Sequence, residues 1–176
     1  MQLNLAKRQV SIIAKKVIKM TLSEKSIQQT IKEVEQYKKD LNRKCQLLVS
    51  QLVKQGVKVA KMQVQGLGAY YTGQLEGSIN GYFSPSLGVG FVRAGSWYAM
   101  YVEFGTGIEG KNSPHPKPSS WVYDVNGHGE DGWYYFNDRD QQWHWTTGMP
   151  ARPFMYNTAK ELETVCGKIA KEVFRK

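Results

Sequence analysis

Residues 27–52 read IQQTIKEVEQYKKDLNRKCQLLVSQL, and their periodicity decides the class of fold. Ile27, Ile31, Val34, Leu41, Cys45, Leu48 and Leu52 recur mostly at spacings of three, four and seven, which places them on one face of an α-helix. Lys, Gln and Glu fill the opposite face. Ser23 or Ser26 stands at its start, where a hydroxyl can accept an orphan backbone N–H. Val57, Ala60 and Val64 keep the same phase, so the helix is expected to run towards Gln65, with a kink or break at Gly56. About 40 residues at roughly 1.5 Å each make an element of roughly 60 Å. Before it, Ile18, Met20 and Leu22 in KVIKMTLS (16–23) alternate with polar residues, a strand signal. Residues 1–15 read as a short helix or a loose N-terminal arm.

Beyond Gly66 and Gly68 the period changes from helical to two. GQLEGSINGYFS (73–84), the turn Ser84-Pro85-Ser86 and LGVGFVR (87–93) read as a hairpin. SWYAMYVEFGTG (96–107) is a short helix or strand stopped by glycines. IEGKNSPHPKPSS (108–120) carries three of the six prolines and is expected to be a loop. WVYDV (121–125), GWYYFND (132–138) and QQWHWTT (141–147) suggest a meander. After Pro153, the residues Phe154, Ala159, Leu162, Val165, Cys166, Ile169 and Val173 return to helical spacing. The order helix, sheet, helix predicts an α+β fold. In it a long N-terminal helix and a C-terminal helix pack on an antiparallel sheet carrying an inserted aromatic hairpin. A chain of 176 residues is expected to form a single domain over 1–176, long enough to bury a core.

Charge is unevenly spread. Residues 1–61 hold 14 Lys/Arg against 4 Asp/Glu, whereas residues 62–176 hold 10 against 11. A basic block can attract nucleic acid or an acidic partner, or can be the solvated face of a helix. Lys dominates it without aromatic interleaving, which weakens a nucleic-acid reading. No stretch approaches the roughly 20 apolar residues of a membrane span. The N-terminus lacks the apolar centre and cleavage site of a secretion signal, so folding in a cytoplasm is the default expectation. Cys45 and Cys166 fall on apolar helical stripes and are expected to be buried, reduced thiols.

The chain assembles no catalytic constellation. His115, His128 and His144 share no helical metal-pair spacing and have no nearby Cys or compact carboxylate cluster. Neither a nucleophile elbow nor a phosphate-cradling loop is present. Glu130, Asp131, Asp138 and Asp140 flank turns, where acids are favoured for backbone reasons. No enzyme, metal or cofactor is therefore expected. What remains is WYYFNDRDQQWHW (133–145), which holds three of five tryptophans. Trp133, Tyr134, Tyr135, Phe136, Trp143 and Trp145 are read as a hairpin, with Tyr134, Phe136, Trp143 and Trp145 on one face. DGWYYFND resembles the aromatic hairpins of choline-binding cell-wall repeats, where rings cage a quaternary ammonium. A carbohydrate- or cell-wall-binding module is thus one reading. An exposed protein-contact surface is the preferred one.

The flanks of that insert carry a second resemblance. YTGQLEGSI (71–79) follows the long helix, YVEFGTG (101–107) precedes the insert, and MPARPFMYNTAKELE (149–163) follows it. In this order they resemble the neck, or tail-completion, proteins of long-tailed double-stranded DNA bacteriophages, also described as head–tail connector or minor tail components. The resemblance covers about residues 16–175, departing at the arm 1–15 and at the long insertion 108–147. It implies an assembly role without catalysis, and a place in the virion neck or tail. Expected partners are other neck and tail proteins, in a homo-oligomeric ring or in several copies docked on one. DNA would be met only by proximity in the channel, and no membrane is involved. The signature residues are Thr72, Gly73, Glu103, Phe104, Gly105, Thr106, Gly107, Pro150, Arg152, Pro153 and Phe154. Phe154 is expected to anchor the last helix in the core, and Gly105 and Gly107 to supply special backbone angles. Arg152 is expected to pair with Glu103, tying the C-terminal helix to the sheet, or one or both to reach a neighbouring subunit.

Overall fold

The computed structural model describes residues 18–69, 72–124, 127–128 and 131–175. The expected arm at 1–15 lies outside them. The fold is α+β. In chain order come α1 (Glu24–Gly66), α2 (Gln74–Gly77), β1 (Ile79–Ser84), β2 (Val89–Ala94), α3 (Ala99–Phe104), α4 (Gly107–Asn112), β3 (Trp133–Asn137), β4 (Gln142–Thr146), β5 (Gly148–Met149) and α5 (Phe154–Arg175). β1 pairs with β2 and β3 with β4, as two small separate sheets.

The chain packs as two compact units. Of the described residues, one unit draws on 18–54, 82–91 and 162–175, and the other on those within 55–81 and 92–161. Neither is continuous in sequence, so no linker or composition shift announces them.

In the first unit, α1 begins as its sequence predicts. The Ser26 backbone N–H donates to Ser23 Oγ, and the Thr21 N–H donates to Ser26 Oγ. No strand precedes it over residues 18–23. The alternating run there is too short and has no strand to pair with, and capping takes its end instead. On the solvent face Asp40 receives Arg43 at 2.8 Å and Lys44 at 3.2 Å. Hydrogen bonds from Arg43 and then Lys44 hold its carboxyl below the usual range. The tip of the β1–β2 hairpin lies flush on the helix. A Cβ on Gly90 would fall 2.4 Å from Val53 Cγ2 and 3.0 Å from Val49 Cγ1. Gln46 Nε2 donates to the Pro85 carbonyl, and Tyr82 stacks on Phe91 at 5.0 Å. Further towards the N-terminus the apolar stripe stays open, with Ile27, Ile31, Val34 and Leu41 between 37% and 48% exposed. Cys45 lies on this open stretch and is exposed, and Cys166 is half-buried. The expectation of buried thiols fails because the stripe carrying Cys45 is itself uncovered.

The second unit holds the main core. Ala60, Val64, Leu75, Ile79, Ala99, Val102 and Phe154 form one buried cluster. α1 passes through Gly56 without a break, and that glycine is buried. Three further expectations are corrected. Thr72 and Gly73 open the single-turn helix α2, not a strand, with Gly73 at φ +79°. The start of the proline-rich stretch forms α4, since no proline stands before Pro114. The proposed meander is a two-stranded hairpin, because residues 121–124 form no strand. Trp121 is held instead by its indole N–H, which donates to the Gly105 carbonyl at 2.9 Å, and by stacking on Phe104 at 5.1 Å.

Two glycine substitutions should differ in sign. Gly90→Val should destabilise the protein by about 1–3 kcal/mol, although valine favours strands, because the helix surface leaves no room. Gly167→Ala, in α5 with nothing within 4 Å of its Cβ, should stabilise by about 0.5–1 kcal/mol. Urea midpoints of the two variants check both signs.

Candidate functional site

The EFGTG and PARPF motifs meet around one buried carboxylate. α3 is short and apolar, and it turns Val102 and Glu103 inward, where both are buried. Glu103 Oε2 accepts the Met155 backbone N–H at 2.8 Å, and Oε1 accepts that of Tyr156 at 2.9 Å. These amides belong to the first turn of α5, which no residue of its own helix satisfies. Pro153 precedes the helix, and its carbonyl accepts the Asn157 N–H at 2.9 Å. A proline has no capping side chain, so the cap comes from Glu103, some 50 positions earlier. The carboxylate also sits at the positive end of the α5 dipole.

The third partner is His115, whose Nε2 lies 3.2 Å from Glu103 Oε1. His115 Nδ1 accepts the Lys117 backbone N–H at 2.9 Å, so the proton is on Nε2 and is donated to the carboxylate. The ring packs against Phe104 at 4.6 Å and Tyr156 at 5.2 Å. His115 was missed from sequence. Its only signal was a histidine between two prolines in a stretch otherwise suited to a solvated loop.

The expected Arg152–Glu103 pair does not form. Glu103 accepts instead from two amides and an imidazole. Arg152 contributes its backbone N–H to the Val102 carbonyl at 2.8 Å, and its guanidinium meets the Met149 sulfur at 3.8 Å. The backbone bond is what ties the PARPF segment to α3. Phe154 is buried in the core, as its apolar character at a helix start suggested. Gly105 and Gly107 do take positive φ, at +79° and +60°. They sit where backbones touch. β5 bridges Thr106 and Gly107, and a Cβ on Gly148 would fall 2.0 Å from the Thr106 carbonyl oxygen. Thr106 and Phe104 are thereby fixed beside the network, whereas Thr72 is exposed and Pro150 half-buried, with no part in the Glu103 network.

The aromatic hairpin forms with the expected face. β3 pairs with β4 so that Tyr134 opposes Trp145 and Phe136 opposes Trp143. Both pairs meet edge to face, at 4.9 Å and 5.6 Å. All four rings remain in solvent: Tyr134 is 64% exposed, Phe136 42%, Trp143 66% and Trp145 51%. Trp133 and Tyr135 lie on the other face, where Tyr135 stacks on His144 and Trp133 on His128. His144 Nε2 is 2.7 Å from Asp140 Oδ2, which braces the strand against its turn.

Among the described residues no group of His, Cys, Asp and Glu is placed to hold a metal ion. Nor is any helix among them long and apolar enough to cross a membrane. No protein family, characterised protein or solved structure matches the chain.

Two substitutions separate the cap from the discarded ion pair. Glu103→Ala should cost about 3 kcal/mol, since it strands two helix amides and the His115 N–H in the interior. It should also raise the hydrogen-exchange rates of the Met155 and Tyr156 amides. Arg152→Ala should cost less than about 1 kcal/mol, because its side chain holds no partner of opposite charge. Equal losses in chemical denaturation would restore the pair.

Proposed function

We propose that this protein is a virion structural component of the neck or tail of a long-tailed double-stranded DNA bacteriophage, acting in head–tail joining or tail completion and not in catalysis. The observation that carries this reading is the ordered set YTGQLEGSI, EFGTG and PARPF, the last of which leads into the helix whose Met155 and Tyr156 amides are capped by Glu103 of EFGTG. Two surfaces support an assembly role. The hairpin holds four exposed rings on one face, and the N-terminal half of α1 leaves its apolar stripe open. Contiguous apolar exposure of this kind marks contact surfaces, and Trp and Tyr are enriched at their energetic centres. The partners are other neck and tail proteins. The chain acts as a ring or as several copies docked on one, through heterologous contacts. DNA is met by proximity in the channel, and the basic first third faces it or an acidic neighbour.

The same exposed rings are what favour the second reading, a carbohydrate- or cell-wall-binding module. The two readings part under one experiment. Deletion of the gene from the phage that encodes it, followed by electron microscopy of the lysate, should give DNA-filled heads beside separate tails, or tails with abnormal ends. Normally joined particles that fail only to adsorb would move the wall-binding reading to the front.

For the hairpin, the double variant Trp143→Ser/Trp145→Ser should keep its thermal transition within a few degrees and lose incorporation into particles. Unfolding of the double variant would mean that the rings serve the fold.

A further inference from the structure

A cleft of about 490 Å³ opens within the second unit, at the base of the aromatic hairpin. Tyr98, Val102, Trp133, Tyr135 and Met149 form its walls, and among the described residues Arg152 is the one ionisable side chain apart from the tyrosines that lines it. Its volume falls in the range of sites that take a side chain or a small ligand.

The position of Arg152 is fixed and its charge is unanswered. Its backbone N–H is pinned to Val102, and a proline stands immediately after it. Among the described residues its guanidinium has its hydrogen bond to the Met149 sulfur alone, and no carboxylate lies within salt-bridge distance of it. Glu103, which adjoins Val102 in the chain, is withdrawn by the α5 amides and His115. Thr106, also lining the cleft, keeps a buried hydroxyl without a partner. A half-buried cation facing aromatic walls favours an anion brought from outside.

We propose that this cleft binds a peptide segment of a partner protein that presents a carboxylate beside an apolar side chain. The carboxylate accepts two parallel hydrogen bonds from the Arg152 guanidinium, and the apolar neighbour packs between Trp133, Tyr135 and Met149. Among the described residues no lysine lines the cleft beside Arg152, and a single guanidinium matches one negative charge. A phosphate dianion or a nucleic-acid backbone would call for several cations. Tyr, Trp and Met walls suit a peptide side chain because they give large contact area and adapt in shape. Nothing in this cleft depends on which assembly the protein serves.

The test uses the purified full chain and three probes: N-acetyl-Leu-Glu-Leu-amide, its Gln counterpart, and inorganic phosphate. Binding is read by NMR from the Trp133 indole N–H and the Arg152 Nε–H. The Glu peptide should bind about tenfold more tightly than the Gln peptide. Arg152→Gln should erase that preference and leave the weak Gln-peptide binding unchanged. If Arg152→Gln loses its dispersed spectrum, Arg152→Lys replaces it, keeping the charge and losing the planar fork, and should lose most of the preference. Equal binding of the two peptides, no binding of either, a preference that survives in the variant, or phosphate shifting the same resonances as strongly as the Glu peptide would each overturn the proposal.

Discussion

One buried carboxylate organises the second unit. Glu103 joins three pieces of chain distant in sequence: the end of α3, the proline-rich loop at His115 and the first turn of α5. Burying a charged group is costly unless its hydrogen-bonding capacity is met. Here two backbone amides, one ring N–H and a helix dipole meet it together. The arrangement is mutual, because a helix introduced by a proline has amides that need an acceptor from elsewhere. Phe154 then follows into the core beside Val64 and Ile79, so the capped end is also the packed end. The cap leaves Arg152, adjacent in the fold, without a counter-charge among the described residues. The residue that secures the helix and the residue proposed to meet a partner are separated by this division of labour.

The exposed hairpin depends on the same frame from the other side. β5 follows β4 directly and is bridged to Thr106 and Gly107, which follow Glu103 by three and four positions. The two strands of aromatic residues are therefore held at their base while their outer face carries no packing duty. Cross-strand edge-to-face pairs keep the rings ordered in solvent. Rings already ordered lose little freedom on binding, which favours recognition through large, stiff side chains.

Long periodic elements were legible in the sequence, and local exceptions were not. α1 and α5 follow from three-and-four spacing over many residues, and the β3–β4 hairpin from alternating aromatic residues on either side of an Asn-Asp-Arg-Asp turn. Each repeats its signal often enough to outweigh a single breaker, which is why Gly56 does not interrupt α1. The failures are short. Residues 18–23 alternate like a strand and residues 121–124 suggest one by their apolar and aromatic content, but neither forms a strand, and α2 is a single turn opened by Gly73. The partner of Glu103 is hidden from sequence for a different reason. Charge complementarity selected Arg152, whereas the carboxylate is met by backbone amides, which every sequence carries and no sequence advertises. Likewise the stripe on α1 was correctly placed on one face, but periodicity does not say whether that face is covered.

The meeting of Gly107 with Gly148 has a consequence outside this molecule. There the two backbones approach so closely that any side chain on Gly148 would overlap the Thr106 carbonyl. Exposed aromatic rings in the hairpin can be exchanged over time, and exposed helix surfaces can drift freely. Two glycines in contact cannot drift, nor can the register that brings them together. In diverged descendants of this chain, an insert of any length and composition should therefore still begin and end on the same pair of glycines. That pair, more than the tryptophans between them, is the mark by which such descendants would be known.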